Sequence, residues 1–174
     1  MKELIIKEQK KNKLSKEHES LAQEDDVISV AGVRMPITNE EDVELLESMV
    51  KINDAVRYEY TSFLRSIMGK SLDIVSVFGN IFADSAMYGF NFSGICNRGP
   101  KRKPMQSYFI FTDCMLDAWE EYGVDESWLQ DSLTLVIKKI NHRKRNRKYF
   151  KKRRESKLSE RRASKDSKPN LVIS

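Results

Sequence analysis

The segment "NHRKRNRKYFKKRR", residues 141–154, sets Lys or Arg at nine of its fourteen positions and contains no acid. A second basic stretch, "RGPKRK" at 98–103, offers Arg98, Lys101, Arg102 and Lys103, again with no acid among them. Lys is a compact point charge and Arg a planar fork of donors, and both suit phosphate oxygens. Cations concentrated in this way neutralise phosphates and release condensed counterions, the term that dominates non-specific nucleic-acid affinity. Residues 138–168 carry a net +13, so the remainder of a chain whose total is +5 carries −8. That asymmetry is the footprint of a protein that turns one basic face to a polyanion.

Catalytic chemistry finds no comparable constellation. Cys96 and Cys114 form no C-x-x-C pair, and His18 and His142 lie far from both in sequence. Cys114 beside Met115, on a helical pattern, reads as an inert core thiol. The acids of the body, such as Glu40, Glu41, Asp42, Asp125 and Glu126, fall in first turns of helices, where the dipole accounts for them. "VFGN" and "FSG" lack the spacing of a phosphate-cradling glycine loop. The expectation is a protein without catalytic residues, metal or cofactor. Two unpaired cysteines, no stretch of about 18 apolar residues and no secretory leader in "MKELIIKEQKK" point to a reduced, intracellular setting with no membrane partner. The acceptor pattern "NFS" at Asn91 is then fortuitous.

These cations need elements to position them. Residues 1–26 have few apolar positions and no period, and read as a flexible charged arm. An extended lead-in, "VISVAGVRMPIT", opens a helical domain over 27–153. Thr38 and Glu41 form a capping-box pattern for a first helix near 39–51, and Asn53 caps a second, with Val56, Tyr60, Phe63, Leu64 and Ile67 on one stripe. Ser71 is placed to cap a third helix, apolar nearly all round from Leu72 to Phe82. A loop follows over 94–104, then a helix from Gln106 to Tyr122 ended by Gly123. The last helix starts after Asp125, buries Leu129, Leu133, Val136, Ile137 and Ile140, and carries the same face onward as Lys144 and Arg147. Helical to Arg153, it spans about 42 Å, the final ~20 Å clear of the core at ~1.5 Å per residue. Such a helix repels itself and calls for an anionic partner. The fold class is all-α, a single bundle of about five helices with a long basic C-terminal helix, disordered ends and a disordered basic tail over 154–174.

If the last two helices pack antiparallel across the short "GVD" turn, the loop arrives beside the far part of the basic helix. Loop and helix would then straddle a groove of duplex DNA, through Arg98, Lys101, Arg102 and Lys103 on one side. The helix would supply Arg143, Lys144, Arg145, Arg147, Lys148, Lys151, Lys152 and Arg153, all expected to lie beyond the core. Tyr149 and Phe150 read more readily as cover for a hydrophobic edge than as stacking groups. The K/R-rich run also reads as a nuclear localisation signal, so a nuclear protein is expected.

The runs "RMPITNEEDVELLES" and "VFGNIFADSAMYGFNFSG", the basic loop, and "LTLVIKKINHRKRNRKYFKKR" resemble an uncharacterised domain of arthropod and transposon-associated proteins, the domain of unknown function numbered 4806, over roughly residues 33–153. More remotely, the order of a glycine-ended segment, a loop, an apolar helix and a basic terminal helix is similar to BEN domains. That resemblance implies a helical DNA-binding module of chromatin or transcription that meets DNA through its last helix and the preceding loop. DNA is favoured over RNA, although arginine-rich segments also fold on RNA. The alternative is a protein-interaction module, a homodimer or one docking a transcription factor, whose basic tail serves import alone. "RRES" and "RRAS" place Ser156 and Ser164 three residues after the start of an Arg pair, a pattern resembling the preference of basophilic kinases.

Overall fold

The structure, a computed structural model, describes residues 28–69, 73–96 and 99–166. The expected flexible arm, Ser71, Arg98 and the end of the chain lie outside the described residues, as does the side chain of Ser164. Among the described residues five α-helices dominate: α1 Glu40–Ile52, α2 Asp54–Met68, α3 Ile74–Ile81, α4 Asp113–Trp119 and α5 Glu126–Asp166. Four two-residue strands complete the fold: β1 Ser29–Val30, β2 Val33–Arg34, β3 Phe90–Asn91 and β4 Lys103–Pro104. The expected all-α bundle of about five helices is what forms.

The lead-in folds as a hairpin, β1 against β2, turned at Ala31 and Gly32, both at positive φ. The Ala31 N–H donates to Glu59 Oε1 at 2.8 Å, which ties the turn to α2. Beyond the hairpin, Ile37 bridges to the end of α3: its N–H donates to the Ile81 carbonyl and its carbonyl accepts from Ala83, each at 2.8 Å. The chain entry is thereby stitched to the middle of the molecule.

Helix starts follow local polar chemistry, displaced from expectation in two places. The N-cap of α1 is Asn39, whose Oδ1 accepts from the Asp42 N–H at 2.8 Å. Thr38 instead lends its carbonyl to the Ser85 hydroxyl, so the cap falls one residue later than the Thr38 expected, and Asp42 accepts from the Asn39 side-chain amide rather than completing a capping box. Asp73 caps α3, which shortens that helix at its start. Asn53 ends α1 in extended backbone and accepts from the Ala55 and Val56 N–H groups to begin α2, as read from the sequence.

The largest departure is the segment read as one helix from Gln106 to Tyr122. It divides into a 3₁₀ turn Met105–Ser107, irregular turns, α4, and a second 3₁₀ turn Glu120–Tyr122. Glu47, 4 % exposed, explains the break. Its carboxylate accepts from the N–H groups of Phe109 (3.0 Å) and Ile110 (3.1 Å), which an uninterrupted helix would direct to the carbonyls of Met105 and Gln106. Lys51 pairs with the same carboxylate at 2.9 Å. A buried charge accepting two backbone donors outweighs local helix propensity.

The core is one continuous cluster. Tyr60, Leu64 and Met68 bury one stripe of α2, which packs chiefly on α4, and the fully enclosed Trp119 donates its indole N–H to the Leu64 carbonyl at 3.0 Å. Phe78, Phe82, Phe111, Phe90 and Tyr108 form a chain of rings with successive centroids 5.0–5.8 Å apart. Burial raises the Tyr60 phenol and pushes the Cys114 thiol up to about 12, so that thiol stays protonated. The expected stripe of α5, Leu129, Leu133, Val136, Ile137 and Ile140, is buried, resting mainly on α3.

Past Ile140 no further residue of the helix with a described side chain is buried. The helix runs to Asp166, so the boundary read at 153, and with it the tail assigned to 154–166, moves outward. No Gly or Pro interrupts residues 154–166, and Arg, Lys, Glu, Leu and Ala there are good helix formers. Residues from His142 to Ser159 are all exposed.

Candidate nucleic-acid interface

The loop 92–102 is set by its ends. Asn91 organises the first turn, accepting from the Gly94 N–H and donating Nδ2 to the Ile95 carbonyl at 2.7 Å. Gly94 sits at φ 75, where a Cβ would approach the Arg102 carbonyl to 3.3 Å and Pro104 Cβ to 3.1 Å, so a side chain there would strain the backbone and crowd its neighbours. At the far end β4 pairs in parallel with β3, returning the chain to the bundle.

That return brings loop and last helix together, as the antiparallel arrangement implied. Arg102 Nη1 donates to the Phe90 carbonyl (3.3 Å) and to Asn141 Oδ1 (3.1 Å), the latter on α5. The loop therefore stands at the point where α5 leaves the core, with Lys101 exposed beside it.

The cations of this region divide into engaged and open ones. Lys103 is held between Glu40 (2.7 Å) and Glu44 (2.6 Å), and its pKa is raised by those hydrogen bonds. Tyr108 donates to the same Glu44 oxygen at 2.7 Å, and burial followed by this bond pushes the phenol up to about 12. Burial would raise Glu44, but the hydrogen bonds from Lys103 and Tyr108 outweigh it and leave the carboxyl below its ordinary value. Glycine at 89 makes room for the arrangement, since a Cβ there would come within 2.5 Å of Glu40 Oε2. Lys103 and Arg102 thus fasten the loop to the bundle rather than facing outward.

The first turns of the projecting helix are also fastened. Asp84, whose side chain is 15 % exposed, accepts from Arg143 Nε at 2.9 Å and Nη2 at 2.6 Å, and pairs with Arg147 at 3.2 Å. The Arg143 bond holds the Asp84 carboxyl below the usual carboxylate range despite its partial burial, and raises the guanidinium in turn. Arg147 also donates to the Tyr88 hydroxyl at 3.2 Å, and Lys144 lies over the Tyr88 ring, 4.1 Å from its centroid. Arg143 and Arg147 were expected wholly beyond the core; instead they extend its boundary by about one turn, because the α3–β3 connection carries an acid at the right height.

Farther out the charges are open. Among the described residues no ion pair reaches Arg145, Lys148, Lys151, Lys152, Arg153 or Arg154. Tyr149 and Phe150 are 62 % and 61 % exposed and meet each other edge to face at 5.6 Å. Among the described residues they cover no hydrophobic edge of the bundle, contrary to the packing role read from the sequence, because no described part of the bundle reaches that far along α5. Phe150 lies with Arg147, Lys151 and Arg154 along a shallow groove of about 520 Å³ on the helix flank.

Asp84, Tyr88, Asn141, Glu40 and Glu44 shape this region and carry no local signal of it in the sequence. Their partners lie 39–64 residues away, or one helical turn beyond a core stripe.

An all-α domain with a buried core and a projecting cationic helix is the class these features define. A family model described as Domain of unknown function (DUF4806) matches residues 29–118, and the chain belongs to that family. The match covers the hairpin, α1 to α3, the loop and nearly all of α4, and ends before α5. No curated protein and no solved structure matches the chain.

Proposed function

We propose that this is a non-catalytic nuclear protein that binds duplex DNA through the open cations of its last helix. The observation that carries the reading is a helix extending past the core with exposed cations that, among the described residues, no acid pairs. Arg145, Lys148, Lys151, Lys152 and Arg153 supply the phosphate contacts, with Lys101 beside them at the loop. Lys144 assists from the Tyr88 ring, whereas Arg143 and Arg147 set the direction in which the helix leaves and Arg102 and Lys103 fasten the loop beside it. Five to eight phosphate contacts, at ~0.9 each, give a log–log salt slope of about −4.5 to −7. The resemblance to BEN domains supports the same reading, and an origin among transposon-associated proteins would suit a DNA-binding role in chromatin or transcription. The α5 diameter suits the major groove, and Tyr149 and Phe150 are free to stack where a strand is open.

The test is fluorescence anisotropy on duplex DNA over a range of salt, with RNA of matched length in parallel. A steep slope on DNA sustains the proposal. A flat response, or no binding at low salt, overturns it, and a clear preference for RNA moves the same surface to the other nucleic acid.

One observation favours a second reading, a protein-interaction module with the basic helix serving nuclear import. Leu45 and Ile52, 49 % and 86 % exposed, lie at i and i+7 on α1, with the half-buried Met49 between them. Self-association of the full chain by light scattering, together with indifference to DNA, would favour it.

A further inference from the structure

Helical spacing sorts the projecting part of α5 into two faces. Val136, Ile140, Arg143 and Arg147, separated by four, three and four residues, continue the buried stripe into the Asp84 contact. Arg145, Tyr149, Lys152 and Ser156, at the same spacing, fall on the opposite side, which is bare. Lys148 and Arg153 flank that outer stripe. Ser156 is exposed and follows Lys152 by four residues, Arg153 by three and Arg154 by two.

We propose that Ser156 is a phosphorylation site for an arginine-directed serine kinase, and that its phosphate switches off the outer face of the helix. The inference rests on the DNA-binding reading for its consequence, though not for the modification itself. An Arg pair two and three residues ahead of a serine is the charge pattern that an acidic kinase cleft selects. Such a cleft takes extended backbone, and this stretch of helix opens cheaply. From Lys148 to Ser159 the only described side-chain hydrogen bond is Ser159 Oγ to the Ser156 carbonyl, within the helix itself. No packing on the bundle is lost when that segment unwinds. In the step itself the seryl Oγ attacks the γ-phosphorus of ATP. The Oγ–P bond forms as the bond to the ADP oxygen breaks, and the hydroxyl proton passes to a base of the kinase.

The product carries about −1.5 to −2 charge one turn from Lys152 and Arg153, within reach of both on the same helix. Those two cations then face a phosphate of their own chain. Losing two contacts lowers the salt slope by about 1.8, a roughly thirtyfold weaker complex at 0.15 M salt, at ~0.9 per contact. Ser164, in "RRAS" within the same helix, has a similar sequence setting, and site mapping separates the two.

The experiment treats the full chain with the catalytic subunit of cAMP-dependent protein kinase, ATP and magnesium, and maps the phosphate by mass spectrometry. Anisotropy on duplex DNA follows, for wild type, Ser156→Ala and Ser164→Ala. Phosphate at Ser156, with a shallower slope in wild type and Ser164→Ala but not in Ser156→Ala, supports the proposal. An unmodified Ser156 after exhaustive treatment overturns it, as does full modification there with an unaltered slope. An untreated chain that ignores DNA instead removes the DNA-binding reading and the switch with it, while phosphate mapped to Ser156 would still establish the site.

Discussion

The basic loop and the basic helix look alike in sequence, and the bundle treats them differently. Arg102 and Lys103 are held by Asn141, the Phe90 carbonyl, Glu40 and Glu44, whereas among the described residues Arg145, Lys148 and Lys152 meet no acid. Both segments are dense in cations, so charge density does not separate them. What separates them is distance from the acidic body: pairing with β3 draws β4 back to where Lys103 meets the acids of α1, whereas among the described residues α5 meets no acid of the bundle beyond Asp84. A charge map of the chain therefore overstates the surface available to a polyanion, and overstates it most next to the core.

The contrast can be broken most decisively at the free end. Arg145, Lys148 and Lys152 changed together to Glu should weaken duplex DNA binding by at least about a hundredfold at 0.15 M salt, at ~0.9 per lost contact. The melting temperature should stay where it is, because none of the three touches the bundle. A collapsed melting transition would show that the free end contributes to the fold.

A finer cut compares two lysines. Lys148→Ala should cost about fivefold in DNA affinity at 0.15 M salt, one contact's worth. Lys103→Ala should leave affinity unchanged and lower stability by about 1 kcal/mol, since its exposed, screened pairs with Glu40 and Glu44 are worth little each. Equal losses of affinity from both would erase the distinction between loop and helix.

The smallest effect belongs to Asp84, which stands between the two regimes. Its folded pKa lies below the ordinary Asp value, so its contribution is present above that value and fades as the pH falls through the folded pKa, in the range below about 4. Asp84→Asn should cost about 1 kcal/mol at neutral pH and flatten the acid limb of melting temperature against pH. An unchanged acid limb would mean that the Arg143 pair contributes nothing to stability.

Much of the fold was legible because it rests on local periodicity. The stripe of α5 and that of α2 through Tyr60 and Leu64 are spaced at i, i+3 and i+4, and Asn53 has the side chain that an N-cap requires. The break of the 106–122 segment was not legible, since Glu47 reaches it from about 60 residues away and looks locally like one more acid on α1. The same reason hid the fastening of the helix. Asp84 has the appearance of a helix terminator, and only the tertiary fold sets it opposite Arg143. The meeting of loop and helix was accessible from the short "GVD" connection, but which cations it would occupy depended on acids elsewhere. Tyr149 and Phe150 misled because aromatic residues usually find a core, and their distance from this one follows from the length of α5.

That length has a mechanical consequence. A long element gripped at one end is a lever, and Asp84 with Tyr88 forms its fulcrum. A tilt of about 10° at Arg143 would sweep the backbone of Ser159 through roughly 4 Å, given a rise of ~1.5 Å per residue. Small rearrangements in the α3–β3 connection are thereby magnified into displacements comparable to the spacing between neighbouring phosphates along a strand.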